Sequence, residues 1–432
     1  MNSKMKKTQF MPAFRLSAVL VCSLMAPAAW VQAATTPAAP ASAASVPALS
    51  IRNDLKTLLL DSQTLLNDKK VAEAKEKIKL AVAMPDKTPF ESFITERVVM
   101  SVAINEDDAP AAAASLEKVL QLDATGNWLK PGESLSLMQA VGIAYYRSKD
   151  YPTAASWMER NIKAGGKEPS VRELRANAYL LAGQWQRGSD LISEEIEISE
   201  KANEPPRKIY LEMLAQARNT LKDAAGYTHA LELMVQYYPT KEHWRSLVNR
   251  VWGRPDLAVR LQLDVSRLGF FVGTPDEASD YTEYVEFAEK AGFSGEALTA
   301  FDKGVAAGQL GTGPKADAHK KLRAKLEAEI AQDRKTVAAD TAAALKKPDG
   351  LALFNIGLNM VGMQQFDKGL ELMEKGIAKG IAKHPEDARL RLAVAYAQAG
   401  NTDKALQIFG TVSGPEGLDD LVKYWKLAIR KT

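Results

Sequence analysis

Apolar and polar residues alternate with helical period along nearly the whole chain, and a second, longer spacing is laid over the first. A small residue in one amphipathic stretch is followed twelve positions later by another: Gly142 by Ala154, Ala176 by Gly188, Gly357 by Gly369, Ala393 by Ala405. Val285 and Ala297 keep the interval with a larger first member. Three positions after each first member stand Tyr145, Tyr179, Met360, Tyr396 and Ala288; four after each second member stand Met158, Ile192, Met373, Phe409 and Phe301. An aromatic opens several of the second stretches: Tyr151, Trp185 and Phe366. Small residues let two antiparallel helices approach closely, and the large ones fill the seam between them. Turn-forming residues separate the stretches, as in Ser148-Lys149-Asp150, Ala182-Gly183 and Ala399-Gly400-Asn401. The pattern therefore predicts an all-α chain of helical hairpins, each burying its remaining apolar face against the next.

The hairpins are expected at 51–85, 89–123, 133–166, 168–202, 205–239, 240–272, 276–310, 350–385 and 386–416. The first two are the least regular, carried by Ala74, Ile78, Ala112 and Leu116. Residues 315–346 read as helix with little apolar stripe, either an imperfect hairpin or one long exposed helix. Leu418 to Ile429, with Leu421, Tyr424, Trp425 and Ala428, reads as an amphipathic helix capping the last hairpin.

The spacing resembles the tetratricopeptide repeat, W-x2-L-G-x2-Y followed by A-x3-F and P. Met138-x2-Val141-Gly142-x2-Tyr145 with Ala154-x3-Met158, and Trp244-x2-Leu247-Val248-x2-Val251, carry the likeness best. Gly142 and Ala176 are 34 residues apart, the period of that family, and Gly357 and Ala393 are 36 apart. Pro85, Pro169, Pro239 and Pro385 fall between units. The resemblance covers nearly all of residues 50–430 and implies an α-solenoid, a right-handed superhelix built for binding proteins.

Two stretches resemble something narrower. They are Tyr238 to Trp244 with Leu261 to Gly269 and Phe270-Phe271, and Lys375 to Gly380 with Pro385 to Leu390, Gly410 to Gly414 and Tyr424-Trp425. Both are similar to proteobacterial periplasmic repeat proteins associated with TonB/ExbB/ExbD systems. Over residues 235–430 this implies an accessory role in TonB-dependent outer-membrane transport, with TonB, ExbB, ExbD or an outer-membrane receptor as partner.

The N-terminus sets the expected compartment. Lys4, Lys6, Lys7 and Arg15 precede an apolar run, Leu16 to Ala26, and then the small-residue site Val31-Gln32-Ala33. That order is a secretory signal peptide, residues 1–33, cleaved after Ala33 with Ala28 as the alternative. The run is shorter than the roughly 20 residues a bilayer span needs. The single cysteine, Cys22, follows Val21 with Val19 in place of Leu, which argues against a lipoprotein anchor. Residues 34–49 are a linker rich in Ala and Pro (ATTPAAPASAASVPAL) that cannot build a core. The remainder divides by pattern into an N-terminal array (50–239), a central array with the irregular segment (240–346) and a C-terminal pair with its cap (347–432).

Charge and chemistry narrow the function further. The chain carries +3, and residues 1–33 hold four basic and no acidic residues, leaving −1 and no footprint for nucleic acid. The four histidines, His229, His243, His319 and His384, lack metal-ligand spacing. Gly308 to Pro314 is Gly-rich without the Lys-Ser/Thr that phosphate cradling needs, and reads as a turn. The carboxylates at Glu194, Glu195, Glu197, Asp107 and Asp108 read as solvated faces. No catalytic constellation and no cofactor site are expected. First helices of a repeat array line a concave face, where the register points Gln139, Tyr146, Arg147, Glu173, Asn177, Arg245, Asn249 and Trp252 outward as a candidate protein-binding groove. The expected function is a periplasmic scaffold or adaptor; the alternative is an accessory factor regulating a peptidoglycan or polysaccharide synthase or hydrolase.

Overall fold

The computed structural model describes residues 50–430, so the expected signal peptide, Cys22 and the linker lie outside the described residues. Twenty α-helices and no strands occur among them, an all-α solenoid-type array. The chain divides into two compact units, one running to Leu191 and one from Ile192.

The first unit pairs α1 (Asn53–Asn67) with α2 (Val71–Ala83), α3 (Pro89–Asn105) with α4 (Ala109–Gly126), and α5 (Glu133–Arg147) with α6 (Tyr151–Lys163). It then enters α7 (Pro169–Leu181) and α8 (Trp185–Lys201), within which the division falls. The second unit continues through α9 (Lys208–Thr220) with α10 (Ala224–Tyr237), α11 (Lys241–Trp252) with α12 (Gln262–Phe271), and α13 (Ala278–Lys290) with α14 (Ser294–Ala306). After the long α15 (Ala316–Lys346) come α16 (Leu351–Gly362) with α17 (Phe366–Lys379), α18 (Pro385–Gln398) with α19 (Thr402–Phe409), and α20 (Leu418–Ile429).

One turn chemistry repeats through both units. The first helix of a hairpin ends on a residue in the left-handed region: Lys69, Asp107, Lys149, Gly183, Lys222, Gly292, Gln364 or Gly400. The amide of the next residue then donates back five positions, as in Asp150 N to Tyr145 O at 3.0 Å and Asn401 N to Tyr396 O at 2.9 Å. This Schellman closure satisfies carbonyls that the helix end would orphan. In four of these turns the same next residue, Asp108, Asp150, Asp223 or Asn401, caps the second helix through its side chain. The link between α11 and α12 is the exception; it runs longer, through a 3₁₀ turn at Val259–Leu261.

The small-residue spacing marks the closest helix contacts. Gly357 on α16 faces Gly369 on α17 so tightly that a methyl at Gly357 would stand 2.5 Å from the Gly369 carbonyl oxygen. Residues 315–346 take the second of their two expected forms. They make one helix, α15, with only Leu326, Ile330 and Ala344 buried. The C-terminal helix does more than cap: α20 packs against α18, α19 and α12, and the Trp425 ring lies 6.3 Å from Phe409 and 4.8 Å from Phe271.

Candidate functional site

In the first unit, α5 and α7 carry five of the expected groove residues, and two of them, Tyr146 and Asn177, meet. Asn177 Nδ2 donates to the Tyr146 hydroxyl at 2.9 Å, and Gln139 Nε2 donates to Ser170 Oγ at 3.3 Å. The Tyr146 ring meets Tyr151 edge-on at 5.4 Å. Burial, with a smaller effect of Tyr151, pushes the Tyr146 phenol up to about 12. Arg147 is exposed at the end of α5. Glu173 departs from expectation: the register pointed it outward, but it is 6 % exposed and belongs to the interior. Helical register gives a side chain's direction, whereas neighbouring helices decide how wide a face they cover.

In the second unit, α11 carries the other three. Arg245 donates to Asp276 Oδ2 at 3.2 Å and Asp280 Oδ2 at 3.1 Å, while Lys241 holds the other Asp276 oxygen at 2.6 Å. Trp252 stacks on Phe287 of α13, with centroids 5.9 Å apart and planes 20° from parallel. Of the three, Asn249 alone is exposed, the other two being half-buried.

Sequence reasoning missed a cleft of about 430 Å³ inside the second unit, walled by α12, α13, α14, α16, α17 and α18. Its apolar walls come from Phe270, Phe271, Leu358, Val361, Phe366 and Val394. A buried ionic chain forms another wall. Arg267 donates Nη1 to Asp264 Oδ1 at 2.6 Å, and donates Nε and Nη2 to the two oxygens of Glu296 at 2.7 Å each. Tyr284 OH adds a bond to Glu296 at 2.6 Å. From the far side, Arg391 of α18 reaches Asp264 Oδ2 through Nη2 at 2.9 Å and also donates to the Arg260 carbonyl at 2.9 Å. Burial acts to raise the Asp264 carboxyl, but Arg391 and Arg267 outweigh it and hold that carboxyl below the usual range. Burial and then Glu296 drive the Tyr284 phenol far above its ordinary value.

Further ties join residues 232–260 to residues 387–424. Arg260 Nε donates to Asp387 at 2.7 Å and its Nη1 to Glu416 at 2.5 Å. Arg254 Nη1 donates to Asp420 at 2.7 Å, and Ala258 N donates to the Glu416 carbonyl at 3.2 Å. Lys423 Nζ and Tyr424 OH donate to the two oxygens of Glu232, at 2.5 and 3.2 Å. The long link between α11 and α12 supplies Arg254 and Arg260, which explains its departure from the short hairpin turn. Of the two stretches singled out for their narrower resemblance, the first supplies Arg267, Phe270 and Phe271 to the cleft, and Phe271 meets Trp425 of the second. A sequence signal was present: Asp264 and Arg267 sit three apart inside the apolar run of α12.

His243 and His319 make local bonds. His243 Nδ1 lies 2.7 Å from the Tyr238 carbonyl, and His319 Nδ1 accepts from Gly311 N at 3.0 Å. No group of three metal-ligating side chains occurs among the described residues, and no described helix is long and apolar enough to cross a membrane.

No protein-family model matches the sequence, and no curated protein matches it. Solved structures give low-scoring likenesses. A chain in the Naa15/Naa10 complex bound to HypK-THB is 14 % identical over 83 % of this chain, with TM-score 0.28; the match spans 58 % of that chain. The P58(IPK) TPR domain is 13 % identical, covering 88 % of this chain and 99 % of that one at TM-score 0.23. Yeast Tom70 is 12 % identical, covering 87 % and 96 % at TM-score 0.19. The all-α repeat assignment rests on the chain's own helices and turns.

Proposed function

We propose that this chain is a non-catalytic protein-binding scaffold that works in the periplasm as an accessory to TonB-dependent transport. The observation that carries the scaffold reading is the α5–α7 face. There a hydrogen bond from Asn177 holds Tyr146 in place beside the exposed Arg147. Tyr and Arg are the side chains that most often dominate protein interfaces, and a pre-positioned aromatic loses little entropy on binding. The periplasmic and TonB-linked parts of the reading rest on the signal-like N-terminus and on the likeness over residues 235–430.

Photocrosslinking in cells tests the proposal. A benzophenone amino acid placed at Arg147, followed by mass spectrometry of captured peptides, should recover TonB, ExbB, ExbD or an outer-membrane receptor. Capture of a cell-wall synthase or hydrolase instead would replace the transport role with the envelope-assembly alternative. Capture of no protein would remove the α5–α7 face as a binding surface.

A further inference from the structure

We infer that the cleft of the second unit is a receptor site for a small amphiphilic carboxylate, an apolar body carrying one anionic head. This goes beyond the scaffold reading and does not depend on it. At about 430 Å³ the cleft falls within the size range of small-molecule sites. The Arg391–Asp264 bond ties α18 to α12 across it. Phe270, Phe271 and Phe366 offer the body an aromatic lining.

Charge selects the head group. Asp264, Arg267, Glu296 and Arg391 carry two charges of each sign and cancel. Both oxygens of Glu296 are held by Arg267, and one also by Tyr284, so this acid has little left to offer a cation. Lys303 is the surplus. It lines the cleft on an exposed position of α14, its ammonium 6.0 Å from the centre of the Phe270 ring, with no carboxylate partner among the described residues. The other exposed lining groups, Gln364 and Gln398, are neutral amides that can donate to an anion. A carboxylate at this rim gains Lys303 while its apolar body enters the aromatic cleft.

Calorimetric titration of the full chain with octanoate, octan-1-ol and octylammonium tests this. Octanoate should bind saturably at one site, about fivefold more tightly than octanol, the ratio expected from one ion pair of ~1 kcal/mol. Octylammonium should bind more weakly than either. Lys303→Gln, a surface change that leaves the fold intact, should reduce octanoate affinity to that of octanol. Octanoate should also shield Lys303 selectively from acetylation, read by mass spectrometry. Absence of saturable binding, equal affinity for octanoate and octanol, unchanged affinity in Lys303→Gln, or an unshielded Lys303 would each overturn the inference.

Discussion

Arg391 and Asp264, 127 residues apart in the chain, share a two-nitrogen contact: Nη2 and Nε of Arg391 lie 2.9 and 3.1 Å from the same carboxylate oxygen. Asp264 has no solvent exposure, and its other oxygen is taken by Arg267. The α12 and α18 helices are therefore joined through a buried carboxylate that two arginines compensate. A solenoid stabilised only by neighbouring hairpins has no such long-range tie. Here sequence-distant helices of the second unit are fastened around a cleft.

The first prediction concerns which guanidinium matters more. Arg267 is almost fully buried and bridges two carboxylates, whereas the Arg391 side chain retains 22 % exposure. Arg267→Met should destabilise the second unit by about 3–5 kcal/mol, because both Asp264 and Glu296 lose buried compensation. Arg391→Met should cost less, since Arg267 still holds Asp264. Denaturant unfolding of the two variants gives the order. Equal losses would mean that Arg267 does not compensate Asp264 alone.

Acid should release the C-terminal helix. Burial acts to raise the Glu232 carboxyl, but hydrogen bonds from His229, Lys423 and Tyr424 outweigh it and set its value below normal. A carboxylate lowered in the folded state contributes stability that is complete above its unfolded value, about 4.3. That contribution is lost as pH falls through the lower folded value. Near-ultraviolet circular dichroism should report loosening of buried Trp425 in that window, with Trp425→Phe assigning the signal. Glu232→Gln should flatten this part of the pH dependence; an unaltered acid transition in that variant would locate the trigger elsewhere.

The hairpin turns can be improved. Lys149 and Lys222 adopt φ of 65° and 58° at positions where Gly183 and Gly400 do the same job without a side chain. An L-residue pays roughly 1–2 kcal/mol in the left-handed region. Part of that is offset because glycine gains more freedom on unfolding. Lys149→Gly and Lys222→Gly should each stabilise the protein by about 0.5–1 kcal/mol, seen as a raised thermal midpoint. A lowered midpoint would show that the lysine side chains contribute contacts outweighing the strain.

These turns explain what the sequence made legible. Asp150 and Asn401 announce a local event, a helix ending and another beginning within three residues, and local events leave local patterns. The small-to-small interval Gly357 to Gly369 is readable for the same reason, since both partners lie in one hairpin. Asp264 and Arg391 obey no local rule: nothing within 127 residues of chain says which charged position of α12 will be buried against which of α18. The cleft inherits that illegibility, because its walls come from six helices. For residues 315–346 the weak apolar stripe foretold little burial but could not choose between one helix and two.

The binding face yields the last prediction, through a contrast between two arginines. Arg147 is exposed on α5, so Arg147→Glu should leave stability within about 0.5 kcal/mol of the parent, as surface changes commonly do. If the α5–α7 face binds a partner, that variant should lose most of the partner captured in cells. Arg245 occupies a different situation: Glu at this position would confront Asp276 and Asp280, whose ion pairs it now makes. Arg245→Glu should therefore lower the thermal midpoint, whatever it does to binding. Asn249→Ala, one turn further along α11 and exposed, should be neutral for stability. Measuring capture and thermal midpoint together separates recognition from folding. Loss of capture in Arg147→Glu at unchanged midpoint identifies the α5–α7 face as the docking surface; full capture by that stable variant rules it out.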